Sequence, residues 1–301
     1  MDFKGIIPPV ITPINDDHSI DEDGFAAVIE YMIESGVHGI IVGGTTGEFY
    51  ALSAEERVRQ FRFAKQIIKS RVQLVCGVND ISTAGACGFA EAARDAGADG
   101  ILVAAPYYSL PTEHENAAHC LAIDKAANLP IMLYNYPGRT GVVMARDFLD
   151  RVSESPNFKS IKEASGDINR LHMLANNYPG IELSCGAEDQ ALEFFVWGAT
   201  SWVTPMGNFF AEEVIALYDA CVAEQNFTKA RRIMSALLPL TTVLEGGGQL
   251  IQCTKFACAF YGLPAGTVRP PMKPLEANAK DSLRDILTTT KSAIQTILSE
   301  A

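Results

Sequence analysis

With 301 residues, of which 48% are hydrophobic and 20% charged, the chain has the balance of an ordinary globular protein and enough apolar residues for a sizeable buried core. Its 36 acidic against 24 basic residues leave a net charge of −12, which argues against nucleic acid and against an anionic membrane surface as partners. A small anionic substrate is not excluded, because a site can be locally positive on an acidic protein.

Short β-branched runs alternate with segments of helical period along most of the chain. In order, the pattern predicts a strand at 5–11, helix 21–35, strand 39–43, helix 53–70, strand 72–77, helix 83–96, strand 100–104 and helix 112–127. It continues with strand 130–135, helix 145–152, strand 158–162, helix 168–177, strand 181–185, helix 189–197, strand 200–204 and helix 211–223. Ser53 followed by Glu56 reads as a capping box, and Gly36 and Gly97 as helix stops. Eight strand–helix units in series predict an α/β fold, a (β/α)8 TIM barrel, since parallel neighbours need crossovers and eight such strands close on themselves. A doubly wound open sheet is disfavoured: no G-x-G-x-x-G follows the first strand. Helical segments at 227–244, 250–261 and 275–298 predict a C-terminal extension, 225–301, on a barrel spanning 1–224.

The seven cysteines are scattered singly, with no C-x-x-C and no histidine at metal-ligand spacing, so reduced thiols and no metal site are expected. Without a leader-like start or a run of membrane-spanning length, a cytoplasmic protein is expected.

In a barrel, chemistry belongs on the loops that follow the strands. Strand six ends on Lys162, at the close of Phe158-Lys-Ser-Ile-Lys162, where alternation puts Phe158, Ser160 and Lys162 on one face. An amine aimed into a packed interior loses solvation, its pKa falls, and it becomes a nucleophile toward ketones. Taken alone, the segment reads more simply as a lysine snorkelling to solvent. Its companions change that balance. Gly43-Gly44-Thr45-Thr46-Gly47-Glu48 follows strand two and offers a nest of backbone N–H groups and two hydroxyls to a carboxylate. Tyr134, alternating with Met132, points inward at the same rim as a proton carrier. Arg139, in Tyr136-Pro137-Gly138-Arg139, can bring a guanidinium fork to a second carboxylate. Tyr107 and Tyr108 sit in a proline-flanked loop after strand four, their order not settled by spacing. The five histidines form no base–nucleophile pair and are read as non-catalytic.

On these residues the chain resembles the dihydrodipicolinate synthase and N-acetylneuraminate lyase family of Schiff-base-forming barrels. The likeness rests on Gly43 to Glu48, on Tyr134-Asn135-Tyr136-Pro137-Gly138-Arg139-Thr140-Gly141, and on Ile161-Lys162-Glu163-Ala164-Ser165-Gly166. The resemblance implies that Lys162 forms the Schiff base and that Tyr134 relays protons. By it, Gly44, Thr45 and Thr46 hold the substrate carboxylate, Tyr108 reaches across a dimer interface, and Arg139 meets the second substrate. It further implies a homotetramer built from dimers, with no metal or organic cofactor. Departures fall at Cys76-Gly77-Val78-Asn79-Asp80, at Thr204-Pro205-Met206-Gly207-Asn208, and at Glu245-Gly246-Gly247-Gly248-Gln249-Leu250-Ile251-Gln252, where the synthases carry Asn-Pro-x-Pro-x-Lys. With Pro264-Ala265-Gly266-Thr267-Val268-Arg269-Pro270-Pro271, these make the pyrroline-4-hydroxy-2-carboxylate deaminase branch the leading expectation, giving 2-oxoglutarate semialdehyde and ammonia. The alternative is the synthase that condenses pyruvate with aspartate semialdehyde. A reading of another class is a non-catalytic 2-oxo acid binding protein, which would have no use for a buried nucleophile.

Overall fold

Eight short, almost wholly buried strands carry the architecture. The structure is a computed structural model that describes residues 2–300. Its strands are β1 (Gly5–Ile6), β2 (Gly39–Val42), β3 (Gln73–Gly77), β4 (Gly100–Ala104), β5 (Ile131–Asn135), β6 (Phe158–Glu163), β7 (Glu182–Cys185) and β8 (Ser201–Trp202). All pair in parallel in the order β1-β8-β7-β6-β5-β4-β3-β2. The ring closes between β1 and β2, where His38 N–H donates to the Ile6 carbonyl and Ile41 N–H to the Pro8 carbonyl, each at 2.9 Å. This is the (β/α)8 barrel that the alternation predicts, with the crossovers made by helices outside.

Those helices are α1 (Glu22–Glu34), α2 (Ala54–Ile68), α3 (Thr83–Asp95), α4 (Glu113–Ala127), a single turn α5 (Pro137–Thr140), α6 (Arg146–Val152), α7 (Ile168–Asn177), α8 (Ala191–Val196) and α9 (Ala211–Val222). Three more follow: α10 (Phe227–Gly246), α11 (Leu250–Phe260) and α12 (Ala277–Ser299). Ser53 and Glu56 form the expected capping box at α2, satisfying two backbone donors that a helix start leaves free. No helix of the described residues is long and apolar enough to cross a membrane.

The first strand is shorter than the predicted 5–11 because Pro8 and Pro9 have no N–H to give a ladder. Pro9 is left as an isolated bridge to Ile41. The face assigned to Phe158 also needs correction. Ile131 pairs with Phe158 but Met132 with Ser160, so Lys159 is one residue too many for its partner strand. The irregularity puts Phe158 in the layer between sheet and helices, while Ala164 joins Ile7, Ile41, Val75, Met132 and Tyr134 inside the barrel. Tyr134 and Met132 thus share the inner face, as their alternation predicts.

Two buried ionic contacts pin the upper rim. Glu163, on the outer side of β6, accepts from Asn135 Nδ2 on β5 (2.9 and 2.8 Å), from Ser165 N–H (2.8 Å) and from Arg170 Nε on α7 (2.9 Å). It therefore fixes the strand end next to Lys162. Glu48, fully buried at the end of the Gly43 to Glu48 turn with φ at +57°, meets Lys255 Nζ on α11 at 2.5 Å and the Arg269 N–H at 3.0 Å. The C-terminal helices are thereby tied to the turn that opens the site. Lys255→Met leaves an uncompensated carboxylate in the interior. It should cost about 3–5 kcal/mol, read as a lower denaturant midpoint, whereas Glu48→Gln with Lys255→Met should recover much of the loss. Equal stability of single and double variants would contradict a coupled pair.

Candidate active site

A cavity of about 270 Å³ opens at the ends of the strands where the chain's polar groups gather. Its wall includes Gly44, Thr45, Thr46, Tyr134, Arg139 and Lys162, from the β2 turn, β5, α5 and β6. Six of the seven residues singled out from sequence therefore meet in one place. A larger hollow lies at the surface of α2, but its lining of Glu22, Arg59, Arg62 and neighbours holds no buried nucleophile.

Lys162 is only 8% exposed, and burial lowers its pKa to about 8, with Glu188 the main group opposing that fall. Its amine lies 4.2 Å from the centroid of the Tyr134 ring. Space for the lysine stem comes from Gly186, just past β7, where an added Cβ would stand 2.7 Å from Lys162 Cε and 2.8 Å from Cγ. The lysine is therefore held at the wall by packing, and the snorkelling alternative does not apply.

The Tyr134 phenol is buried and its pKa pushed up by desolvation, so it stays protonated. Tyr136 raises it further, while Arg139 and the Thr45 hydroxyl beside it work in the opposite direction. The Tyr134 and Tyr136 rings stack at 5.9 Å, and the Arg139 guanidinium rests 5.6 Å from the Tyr136 centroid. Arg139 is thus aimed across the mouth by the single turn of α5. In the β2 turn, Gly43 has φ at +74°, a conformation that favours glycine, and Gly47 and Glu48 N–H bond back to the Gly44 and Thr45 carbonyls. Thr46 is buried at the cavity wall, and Thr45 is partly open to it.

Tyr108 is not brought into this constellation. It is 95% exposed, with φ at +75°. Tyr107 instead turns back, 6.2 Å from Phe49, and lines an adjoining recess of about 210 Å³ with Thr45, Phe49, Tyr50, Tyr134 and Tyr136. None of the five histidines lines either space. All seven cysteines are free thiols, six of them buried.

Sequence reasoning missed two acids on the wall. Glu188, 3% exposed, follows β7, and Glu245 closes α10. Glu188 accepts the Thr204 hydroxyl on Oε2 at 2.5 Å, and its N–H donates to Glu245 Oε1 at 2.7 Å. Desolvation is the largest cause raising both carboxyl pKa values. Glu188 stands on the same rim as Lys162, so the rule that pointed to the other loops would have found it. Glu245 comes from a helix whose position relative to the barrel no local pattern records.

The chain matches the model of the dihydrodipicolinate synthetase family over residues 2–290. It is 33% identical to a 4-hydroxy-tetrahydrodipicolinate synthase of Methanothrix thermoacetophila over 294 residues, covering 95% of this chain and 96% of that protein. Its fold matches the solved 4-hydroxy-tetrahydrodipicolinate synthase of Methylacidiphilum fumariolicum SolV with a TM-score of 0.94 and 31% identity, over 99% of both chains. A prophage protein of the dihydrodipicolinic acid synthase family from E. coli K12, solved in complex with pyruvate, matches with a TM-score of 0.91 and 29% identity, over 96% of this chain and 99% of that one. With the match running through every strand of the barrel and every loop that lines the cavity, the chain belongs to the dihydrodipicolinate synthetase family.

Proposed function

We propose that the protein is a lysine Schiff-base lyase acting on a 2-oxo acid, and that its finer activity is the condensation of pyruvate with aspartate semialdehyde. The observation that carries the chemistry is the buried Lys162 amine, with its pKa lowered to about 8, beside Tyr134 and the Thr45–Thr46 turn. In this reading the substrate carboxylate takes the hydroxyls of Thr45 and Thr46 and the backbone of Gly44. Lys162 Nζ then attacks the C2 ketone. Tyr134 carries protons to and from the carbinolamine oxygen, water leaves, and the protonated imine accepts electrons so that C3 can lose a proton and become nucleophilic. The names of the relatives and the pyruvate in the E. coli structure support pyruvate as donor, and Arg139 at the mouth suits the carboxylate of an incoming aldehyde.

The second reading, deamination of pyrroline-4-hydroxy-2-carboxylate, is favoured by one specific feature. Glu188 and Glu245 put acid next to Lys162, where a hydroxyl must depart with a proton, and the cavity wall runs on through Gly248. Assays of purified protein with each substrate separate the two. Ammonia release from the pyrroline with no turnover of aspartate semialdehyde would replace the synthase by the deaminase.

Association through the Tyr108 face is also part of the proposal, as a dimer that pairs into a tetramer. An aromatic residue left 95% exposed, beside exposed Leu110 and close to an aromatic-lined recess that borders Tyr134, suits a reciprocal contact in which Tyr108 of a second copy enters the recess.

Three outcomes are expected. Borohydride with pyruvate should add a stable mass to Lys162, and Lys162→Ala should abolish it; no adduct on the unaltered protein removes the imine mechanism. Because only the neutral amine attacks, the trapping rate should climb as pH rises toward and through about 8, with a tenfold gain per unit well below that point. A rate that levels off above about pH 8–9 is expected, and one still climbing tenfold per unit through pH 10 contradicts a lowered pKa as the controlling feature. Finally, Tyr108→Phe should lower turnover by about 10²-fold while leaving the sedimenting species unchanged, and a fully active monomer would rule out a shared site.

A further inference from the structure

Glu188 has no part in imine formation as derived above, yet it is a buried acid on the wall of the same cavity. Its carboxyl is oriented by one contact, the Thr204 hydroxyl on Oε2 at 2.5 Å, which leaves Oε1 for the cavity that Glu188 lines. Thr204 is itself fixed, since its oxygen accepts the Met206 N–H at 3.2 Å. Behind Glu188, the carboxyl of Glu245 receives the Glu188 N–H at 2.7 Å. Two carboxyl groups and one lysine amine thus line one cavity.

Several charged or titratable groups face Glu188. Lys162 on β6 favours the carboxylate; Glu245 on α10 and Asp189 on the same short turn disfavour it. Cys185 on β7 and Tyr134 on β5 are neighbours that stay protonated, because burial raises both. Desolvation is the largest influence on both groups, raising the proton affinity of the Glu188 carboxyl and lowering that of the Lys162 amine, so the two are shifted away from a full ion pair. Those are the directions a Schiff-base enzyme needs: an amine that loses its proton more readily and an acid that keeps its own.

The geometry points to Glu188 as the acid that protonates the oxygen on substrate C4, with Glu245 as the positioning residue that keeps the proton on it. This rests on the Schiff-base reading but not on which of its two reactions is correct. In both, the reacting oxygen is on the carbon next to C3. In addition, the C3 electron pair forms the C3–C4 bond, the aldehyde π pair moves to oxygen, and that oxygen takes the Glu188 proton to become a hydroxyl. In elimination, the enamine pair forms the C3–C4 π bond and the C4–O bond breaks. The oxygen then leaves with its electron pair and the Glu188 proton, as water. Either way Glu188 ends as a carboxylate, recharged by the proton lost from C3 or by solvent. Tyr134, on β5, serves the C2 oxygen.

Glu188→Gln keeps an acceptor for Thr204 but carries no acidic proton. The unaltered enzyme and this variant are compared by borohydride trapping of pyruvate and by turnover with pyruvate plus aspartate semialdehyde and with pyrroline-4-hydroxy-2-carboxylate. Trapping within about threefold of the unaltered enzyme, with turnover of its substrate lowered about 10²–10⁴-fold, is expected. Loss of trapping in Glu188→Gln places the residue at C2 and overturns the assignment, as does turnover within threefold of the unaltered enzyme. A chain whose unaltered form never traps pyruvate fails at Lys162, a distinct result. Glu245→Gln supplies a second measure that leaves Glu188 in place. Without the neighbouring negative charge Glu188 gives up its proton at lower pH, so the alkaline limb of the turnover profile should move down by roughly one pH unit. An unmoved limb means that Glu245 only holds the backbone, and refutes its part of the proposal.

Discussion

Keeping an amine out of water at the end of a parallel strand is the constraint on which the site depends. A lysine prefers to be charged and solvated, and moving it into a packed rim costs more than any single neighbour returns. The chain meets that demand with shape. Gly186 leaves room for the lysine stem, Tyr134 lays its ring beneath the amine, and Glu188 lies close enough to limit the fall in basicity without restoring a full ion pair. Glu163, one residue further on and facing the other way, is tied to β5 and α7, so the strand end cannot yield to let Lys162 out.

The same economy explains why the C-terminal helices matter to chemistry at a barrel rim. Lys255 on α11 neutralises Glu48 beneath the β2 turn, and Arg269 beyond it donates its N–H to the same carboxylate. Further along its side chain, Arg269 also pairs with Glu56 at the start of α2. The turn presenting Thr45 and Thr46 is therefore held from below by residues about 200 positions later. Glu245, from α10, reaches the cavity by the same route. The extension completes the cavity wall, through Glu245, Gly248 and Leu250, as well as covering the barrel.

The relatives' names and the acidic wall pull the substrate assignment in different directions, and the physical reason is that they report on different parts of the cavity. Likeness across the whole chain is dominated by the barrel and by the rim around Lys162, which reports on the fold more than on the substrate. In the proposed reactions the second half is decided at C4, for which Glu188, Glu245 and Arg139 are the charged wall residues at hand besides Lys162. Two carboxyl groups and a guanidinium lining one cavity would, in that reading, sort substrates by where they carry an acid and where an oxygen that needs a proton.

Much of the fold is legible in the chain's own periodicity. The period of the apolar residues gave eight strand–helix units, and Gly43 to Glu48, Tyr134, Arg139 and Lys162 declared themselves because each ends or follows a strand, where a parallel barrel exposes its backbone to ligands. The sequence by itself thus determined the fold and brought out the buried lysine and most of the residues that line the rim cavity. What it misjudged was local pairing: prolines cut β1 short, and an extra residue at Lys159 turned Phe158 away from the face shared by Ser160 and Lys162. What it could not contain was distance between segments far apart in the chain. Glu188 became an acid only when burial and Glu245 raised its proton affinity, and Lys255 became the partner of Glu48 only once α11 packed under the turn. Tyr108 read as a site residue, yet within one chain it faces outward. Periodicity and turn chemistry are written into neighbouring residues, whereas desolvation and charge pairing belong to whatever the folded chain brings together, and only the tertiary structure decided those.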